Sequence, residues 1–103
     1  MKRGELWWHE PPERKPRPVL ILTREEVIDR VYDLIVMPAT GVPRDWLTEV
    51  EIGPAEGVPT TSFLVAENTL SAEKIHLTER IAVLGAAKMD AACRALALAT
   101  SCA

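Results

Sequence analysis

The sequence predicts a mainly β fold with one α-helix, in which a small antiparallel, barrel-like sheet is covered by that helix at the C-terminus. Short apolar runs rich in β-branched residues recur along the chain, separated by breakers that contain proline or glycine. No segment between these runs is long enough for the crossover helix that parallel strands require, so antiparallel pairing is expected. With 103 residues, the chain is expected to form a single domain, 1–103.

Three strands are predicted in the first half of the chain. The segment GELWWH, 4–9, is the first strand, and the polar loop EPPERKP follows it. The run PVLILT, 18–23, is the second, because it is short, apolar and β-branched at its centre. The next segment, TREEVIDRVYD, begins with the spacing of a capping box and predicts one or two helical turns within a loop. The third strand is LIVMP, 34–38.

Three more strands are predicted in the second half. In LTEVEI, 47–52, apolar and polar residues alternate as in a half-exposed strand, and the turn GPAEGVP follows it. The fifth strand is TSFLVAEN, 61–68, and the sixth is RIAVL, 80–84. Between them, SAEKIHL is expected to form a helical turn capped by Ser71.

The last element is predicted to be an amphipathic helix, 86–100, that packs on the sheet. One face of this segment carries apolar or small residues at steps of three and four, which is the helical period. The residues on that face are Met89, Ala92, Cys93, Leu96 and Thr100.

Composition excludes several classes of protein. Apolar residues make up 48% of the chain and charged residues 26%, as in a soluble globular domain. The net charge of −3 argues against nucleic-acid binding through a bulk positive field, so any phosphate contact requires a local cluster of cations. No apolar run approaches the ~20 residues of a membrane span, and no signal-peptide core is present. We therefore expect a cytoplasmic protein that does not contact membranes.

Common catalytic and metal-binding signatures are missing from the sequence. It contains no Gly-rich phosphate loop, no G-x-S-x-G motif and no Cys/His spacing typical of zinc, so no metal or cofactor is expected. The two cysteines, Cys93 and Cys102, do not form a disulfide framework. His9 and His76 are isolated, and we expect each at the surface or half buried rather than in a catalytic role.

Arg17 stands between two prolines immediately before the second strand. Pro16 and Pro18 restrict the backbone to extended angles, so the backbone that carries the Arg17 side chain is rigid. Polar residues also stand at other strand ends: Thr40 after the third strand, and Glu67 and Asn68 at the end of the fifth. Loops at one end of a small barrel commonly build binding sites. Taken alone, Arg17 has the alternative of a surface arginine paired with a carboxylate.

Four blocks of the sequence resemble the MazF/PemK-like family of bacterial toxins in order and spacing. They are MKRGELWW, RPVLILTRE, LIVMPATGVPRDWLTEVEIGP and AAKMDAACRALALA. The family pattern is roughly G-E-[IV]-W, R-P-V-L-[IV]-L, V-x-P-[IV]-T-x-x-x-R-G-x-x-T-E-V and a closing helix with M-x-x-[VA]-x-x-A-L. Several residues fall at the family spacing without a gap: Thr40, Arg44, Thr48, Glu49 and Val50.

The resemblance implies an SH3-like barrel of the CcdB/PemK type, a homodimer, and metal-independent, sequence-selective cleavage of single-stranded RNA. The catalytic arginine and threonine of the family correspond to Arg17 and Thr40. Attack of a 2′-hydroxyl on the adjacent phosphate places negative charge on the non-bridging oxygens, and a guanidinium stabilises that charge. The expected products carry a 2′,3′-cyclic phosphate and a 5′-hydroxyl. Arginine is a poor proton acceptor, so a proton-transfer role for Arg17 stays open.

Binding of single-stranded RNA requires contacts to phosphates and to bases. Arg14 and Lys15 are expected to form a cationic rim, and Arg44 to add a phosphate contact. Glu67 and Asn68 stand where the family often has an acidic residue followed by an amide, and are expected to read base edges. A cognate antitoxin is the expected protein partner, with a disordered acidic segment that covers the groove.

The sequence departs from the family pattern near the predicted site. Val65 stands where the family often has asparagine, and Thr69 replaces a usual apolar residue, so base preference cannot be carried over. Asp45 replaces the glycine after the loop arginine and places a negative charge beside Arg44. We expect retained activity with altered specificity.

Two other functions stay open at this point. Related CcdB-type barrels inhibit DNA gyrase without enzymatic activity, through the C-terminal helix of the dimer. The chain could also be a catalytically inactive relative that only binds an antitoxin. The presence of both Arg17 and Thr40 favours cleavage, because a gyrase inhibitor requires neither residue.

Overall fold

The computed structural model describes residues 1–102, which form an antiparallel sheet and one α-helix. The strands are β1 (Glu5–His9), β2 (Arg17–Ile21), β3 (Asp33–Thr40), β4 (Glu49–Ile52), β5 (Ser62–Val65), β6 (Leu70–Glu73) and β7 (Leu77–Val83), and the helix is α1 (Ala86–Thr100). Short 3₁₀ turns connect them at Glu25–Arg30, Pro54–Glu56, Ala66–Asn68 and Lys74–His76. The predicted antiparallel sheet with a C-terminal helix is confirmed.

Strand β3 organises the sheet, because three other strands pair with it. Its residues Val36–Pro38 pair with β2, its first half pairs with β6, and its last two residues pair with β5. The strand order is β4-β5-β3-β2-β1-β7, with β6 beside β3. One long strand therefore carries two short partners along the same edge.

The sheet stays open between β4 and β7, the strands at its two ends. Within residues 1–102 no ladder joins these two terminal strands, so the predicted closure of the barrel is not complete. The turn after β4 lies against β7 instead. Gly57 there has a left-handed φ of 91°, and a Cβ added to it would lie 2.9 Å from the Cβ of Ala82. Only glycine allows this close contact.

Both faces of the sheet are buried, in two separate clusters. One cluster includes Leu6, Leu20 and Met37, and α1 covers it with Ala92 and Ala95. The other cluster comprises Val19, Ile21, Ile28, Leu34, Val36, Ala72 and Leu77. Successive residues of a strand point to opposite faces. The continuous apolar run of β2 is thus explained, since each of its faces is buried.

Helix α1 has the predicted bounds but a narrower buried face. Ala92 and Ala95 are buried, and Met89, Cys93 and Leu96 are half buried. Thr100 was predicted on this face but is exposed. Its hydroxyl donates to the backbone oxygen of Leu96 at 2.8 Å, as threonines near helix ends often do. No helix within residues 1–102 meets the length and apolarity that crossing a membrane requires.

The segment SAEKIHL is the main error in the predicted elements. Ser71, the predicted cap of a helical turn, lies within β6, where it pairs with Ile35 of β3. Only Lys74–His76 forms a 3₁₀ turn. Strand β3 is longer than predicted, so its first half offers a free edge, and pairing with that edge overrides the local helical pattern.

Glu5 connects the N-terminus, β1 and β7 through a buried carboxylate. Its Oε1 accepts hydrogen bonds from the backbone N of Lys2 at 2.8 Å and from Trp7 Nε1 at 2.9 Å. Arg80 Nη1 donates to Oε2 at 3.3 Å. Burial alone would raise the pKa of Glu5, but these donors outweigh burial and hold the pKa below its usual value.

Substitution Glu5→Gln is expected to lower the free energy of unfolding by about 1–2 kcal/mol at pH 7, because charge-assisted hydrogen bonds are lost. A depressed pKa in the folded state stabilises the fold above the unfolded pKa of about 4.3, and this contribution disappears as the pH falls through the folded value. The difference in free energy of unfolding between the wild-type protein and Glu5→Gln should therefore be largest near pH 7 and decrease below about pH 4.

Urea unfolding followed by tryptophan fluorescence at several pH values measures this difference. The matched control is Glu79→Gln, since Glu79 is an exposed carboxylate on β7. Equal stability of Glu5→Gln and the wild-type protein at pH 7 would show that the carboxylate does not stabilise β1.

Candidate active site

Three polar side chains form a row across β1, β2 and β3. His9 pairs directly with Arg17 in the β1–β2 ladder. The β2–β3 ladder ends at the pair Val19 and Pro38, and continuing that register by two residues sets Arg17 opposite Thr40. Alternation keeps paired residues on one face of the sheet. The three residues are thus neighbours on the face that also carries Val19.

Proline chemistry explains why the β2–β3 ladder stops at this point. Pro18 and Pro38 have no N–H groups and cannot donate to a neighbouring strand. β2 begins at Arg17 and β3 continues to Thr40, yet neither residue belongs to the ladder between these strands. Their side chains stand where the two strands no longer exchange hydrogen bonds.

A cavity of about 270 Å³ opens beside this row. It is lined by His9, Pro11, Arg14, Lys15, Arg17, Pro38, Asn68 and Leu70. Four of the seven predicted site residues, Arg14, Lys15, Arg17 and Asn68, therefore meet at one cavity. Thr40, Arg44 and Glu67 do not line it.

The cations of the cavity form no ion pair with an acidic side chain among residues 1–102. Arg14 and Lys15 are exposed and Arg17 is half buried. The ion pairs within residues 1–102 join Arg24 to Glu26, Arg80 to Glu5 and Arg94 to Asp90, so none involves the cavity. The alternative of a surface Arg17 paired with a carboxylate is thus wrong. Three unpaired cations in an acidic chain make a local site for anions.

Thr40 has a hydroxyl group with a free hydrogen. Its Oγ1 accepts a hydrogen bond from the backbone N of Val42 at 3.3 Å. In the described residues the hydroxyl donates to no protein acceptor, and the side chain is half buried. A hydroxyl can both accept and donate, so Thr40 retains its donor for a ligand.

The 3₁₀ turn Ala66–Asn68 presents the predicted base-reading residues. Glu67 and Asn68 are exposed, and Asn68 reaches the cavity. Thr69 Oγ1 donates to the backbone oxygen of Ala66 at 2.8 Å and closes the turn. Val65 is buried in β5. The two departures from the family pattern, Val65 and Thr69, thus serve the fold and leave Glu67 and Asn68 to face solvent.

Arg44 lies apart from the cavity, in the loop between β3 and β4. Its guanidinium stacks on the ring of Trp46, 5.2 Å from the centroid, and its backbone N donates to Glu49 Oε1 at 3.1 Å. Asp45 between them has a φ of 58°, in the left-handed region. The loop thus presents a cation against an aromatic ring that is 47% exposed.

His9 is a site residue that sequence reasoning missed. It was expected at the surface or half buried, but it is only 6% exposed and lines the cavity, whereas His76 is half buried as predicted. The two rings lie 6.3 Å apart between centroids. Burial is the main cause that lowers the pKa of His9, and His76, Arg14 and Arg17 add to it. The imidazole is therefore neutral at pH 7.

Comparison with known proteins identifies relatives over nearly the whole chain. The family described as "PemK-like, MazF-like toxin of type II toxin-antitoxin system" matches residues 2–100. The chain is 34% identical over 103 residues to "Probable endoribonuclease MazF2" of Mycobacterium tuberculosis, which covers 99% of this chain and 100% of the relative. It is also 34% identical over 101 residues to "Probable endoribonuclease MazF5" of the same species, covering 97% and 93%.

Solved structures share the fold. The structure of "Mycobacterium tuberculosis toxin MazF-mt6" superposes with a TM-score of 0.86 at 30% identity, over 94% of this chain and 96% of that one. A mycobacterial "Endoribonuclease in complex with its cognate antitoxin" gives a TM-score of 0.87 at 24% identity, over 98% and 95%. At that identity the second likeness shows the fold alone.

The loop carrying Arg44 allows a test of its backbone geometry. Asp45→Gly is expected to raise the free energy of unfolding by about 0.5–1 kcal/mol, because glycine adopts the left-handed conformation without a steric penalty. Asp45→Ala should lower it by a similar amount, since alanine lacks the local hydrogen bonds that help aspartate in this region. Thermal unfolding of the wild-type protein and the two variants measures the order of their stabilities. An alanine variant as stable as the glycine variant would contradict the left-handed geometry.

Proposed function

The chain belongs to the PemK-like, MazF-like toxins of type II toxin–antitoxin systems, and from this premise we propose that it is an endoribonuclease that cleaves single-stranded RNA. We propose further that cleavage is sequence-selective, independent of metal ions and performed in the cytoplasm. The observation that carries the proposal is the row of Arg17 and Thr40 beside a cavity whose cations form no ion pair with an acidic side chain in the described part of the chain. Two relatives at 34% identity, both named as probable endoribonucleases, also support it.

In this mechanism Arg17 and Thr40 stabilise the transition state. The 2′-oxygen of one nucleotide attacks its own 3′-phosphate, and the bond to the 5′-oxygen of the next nucleotide breaks. The guanidinium of Arg17 donates two hydrogen bonds to the non-bridging oxygens as their negative charge increases. Thr40 donates its free hydroxyl hydrogen to the same phosphate. The products carry a 2′,3′-cyclic phosphate and a 5′-hydroxyl, and positive charge comes from the protein rather than from a metal ion.

Other residues of the site bind the RNA strand. Arg14 and Lys15 contact phosphates at the cavity rim, where both are exposed and unpaired. Asn68 presents an amide to the edge of a base in the cavity, and Glu67 reads a neighbouring base. Arg44 with Trp46 provides a second contact outside the cavity, where a base can stack on the exposed ring.

We propose that two copies of the chain pair and that an antitoxin segment competes with RNA. An open groove between β4 and α1 carries Leu47, 88% exposed, and Leu98, 55% exposed, and burial of such apolar side chains stabilises an interface. The unpaired cations of the cavity attract an acidic, disordered antitoxin segment as they attract RNA. The matching family is described as toxins of type II toxin–antitoxin systems, which supports this partner.

The catalytic roles are tested by alanine substitution. Purified wild-type protein is expected to cleave a mixed-sequence single-stranded RNA in EDTA, and mapped ends should carry the cyclic phosphate. Arg17→Ala should lower the cleavage rate by about 10²–10³-fold, as loss of a charge-stabilising donor does. Thr40→Ala should lower it by about 10-fold or more, the effect of one lost hydrogen bond in the transition state.

Arg24→Ala is the control for the loss of one arginine, because Arg24 is exposed and lies outside the cavity. Failure of the wild-type protein to cut, or undiminished cleavage by both active-site variants, would refute the proposed mechanism. Growth arrest with intact RNA and inhibited DNA supercoiling would instead indicate a gyrase inhibitor.

If Arg14 and Lys15 contact phosphates, their removal should change how strongly the affinity for single-stranded nucleic acid depends on salt concentration. Each phosphate contact to single-stranded nucleic acid contributes about 0.7 to the slope of log affinity against log salt concentration. The double variant Arg14→Ala/Lys15→Ala should therefore reduce that slope by about 1.4. The charge-matched control Arg24→Ala/Arg30→Ala changes two exposed arginines elsewhere and should preserve the slope. Fluorescence anisotropy with a non-cleavable 2′-deoxy oligonucleotide measures the affinity of each variant at several salt concentrations. Equal slopes for the two double variants would exclude the cavity-rim contacts.

A further inference from the structure

The proposed reaction requires a group that removes a proton from the 2′-hydroxyl. Arginine holds its proton to a pKa above about 12, and a threonine hydroxyl is no better as a base at neutral pH. We propose that His9 is a third catalytic residue, whose imidazole accepts the proton of the attacking 2′-hydroxyl. This inference rests on the function proposed above and adds the base that Arg17 and Thr40 cannot supply.

Register places the imidazole next to the guanidinium that binds the phosphate. His9 and Arg17 are direct partners on adjacent antiparallel strands, and the Cβ atoms of such partners are about 4.5–5.5 Å apart. Both side chains line the same cavity. In RNA the 2′-hydroxyl and the scissile phosphate belong to one ribose unit. A phosphate held by Arg17 therefore brings its own 2′-hydroxyl to the neighbourhood of His9.

The ring nitrogens of His9 are available for a ligand. A buried histidine that serves only the fold usually has its nitrogens satisfied by protein groups. In residues 1–102 no side-chain hydrogen bond involves His9, and no buried side-chain nitrogen or oxygen lacks a partner. The ring nitrogens therefore keep contact with solvent although the residue is 6% exposed. That contact lies in the cavity and in an adjoining cavity of about 190 Å³, since His9 lines both.

The surroundings of His9 favour the neutral, proton-accepting form. The charged and titratable groups that line the two cavities beside His9 are Glu13, Arg14, Lys15, Arg17, Glu73 and His76, and Glu10 follows His9 in the chain. Burial, His76 and the arginines lower its pKa, against a smaller opposite effect of Glu13. A bound phosphate adds negative charge beside the ring and moves the pKa back toward neutrality. A base is most effective when its pKa lies near the working pH.

The step conserves atoms and charge. A lone pair of the imidazole takes the 2′-hydroxyl proton while the 2′-oxygen forms a bond to phosphorus. The bond between phosphorus and the 5′-oxygen then breaks, and its electron pair stays on the 5′-oxygen, which takes a proton from water. The imidazolium afterwards releases its proton to solvent, so the enzyme returns to its initial state.

The pH dependence of cleavage tests this role. A mixed-sequence single-stranded RNA transcript is cut under single-turnover conditions in EDTA, from pH 5 to pH 9, with saturating enzyme. The wild-type rate is expected to rise tenfold per pH unit in the acid range and then level off, as the base loses its proton. His9→Gln should lower the plateau rate by about 10²-fold or more and remove the acid limb. The enzyme concentration for half-maximal rate should change less than threefold, because binding is retained.

Two controls separate proton transfer from a structural effect. His76→Gln removes the neighbouring histidine outside the catalytic row and should keep the plateau rate within threefold and retain the acid limb, moved to slightly higher pH because His76 no longer lowers the pKa of His9. Added imidazole should restore part of the activity of His9→Ala, because a small base can enter the cavity. In the wild-type protein bound to a non-cleavable 2′-deoxy analogue of the transcript, the NMR titration of His9 should give the same pKa as the acid limb.

Three experimental results would overturn the assignment of His9, and they distinguish its failure from a failure of the proposed function. If the wild-type protein cuts RNA and folded His9→Gln keeps both the rate and the acid limb, His9 is not the base. If a glutamine variant fails to fold, an NMR pKa of His9 that differs from the acid limb overturns the assignment in the wild-type protein itself. If the wild-type protein cuts no RNA at any pH, the proposed function fails, and this inference fails with it.

Discussion

The site depends on the antiparallel register of β1, β2 and β3. A shift of one residue in the β1–β2 ladder would place Arg17 and His9 on opposite faces of the sheet. The same shift in the β2–β3 ladder would separate Arg17 from Thr40. The buried pairs Leu6 with Leu20 and Leu20 with Met37 prevent such a shift, because it would move apolar side chains out of the core. The hydrophobic pattern that folds the sheet thus also aligns the polar row at its end.

The same register explains why the row lies at a strand end rather than in the core. The β2–β3 ladder ends two residues before the polar pair, beside Pro18 and Pro38, which have no N–H group that would need a partner there. Pro16 and Pro18 also restrict the backbone on both sides of Arg17. A guanidinium held in place before the ligand arrives needs less reorganisation when charge develops on the phosphate.

Local patterns in the sequence predicted the parts of the fold that local physics decides. The helical period located α1, and the apolar runs located β1, β2 and β3, since each depends only on neighbouring residues. Strand β6 was missed because SAEKIHL has no strand pattern of its own and becomes a strand through the free edge of β3. His9 was missed for a similar reason. Its partner Arg17 lies across a seven-residue loop, 10–16, whose length and prolines do not reveal the register.

The charge distribution of the chain links RNA binding to its control. A net charge of −3 repels nucleic acid at long range, so attraction must come from local groups of cations such as Arg14, Lys15 and Arg17, which form no ion pair within residues 1–102. Unpaired cations bind any flexible polyanion that reaches them, whether an RNA backbone or an acidic peptide segment. In the proposed mechanism both ligands require the same guanidinium groups, so binding of one would exclude the other. The arrangement that prepares the site for phosphate therefore also makes it open to inhibition by an acidic partner.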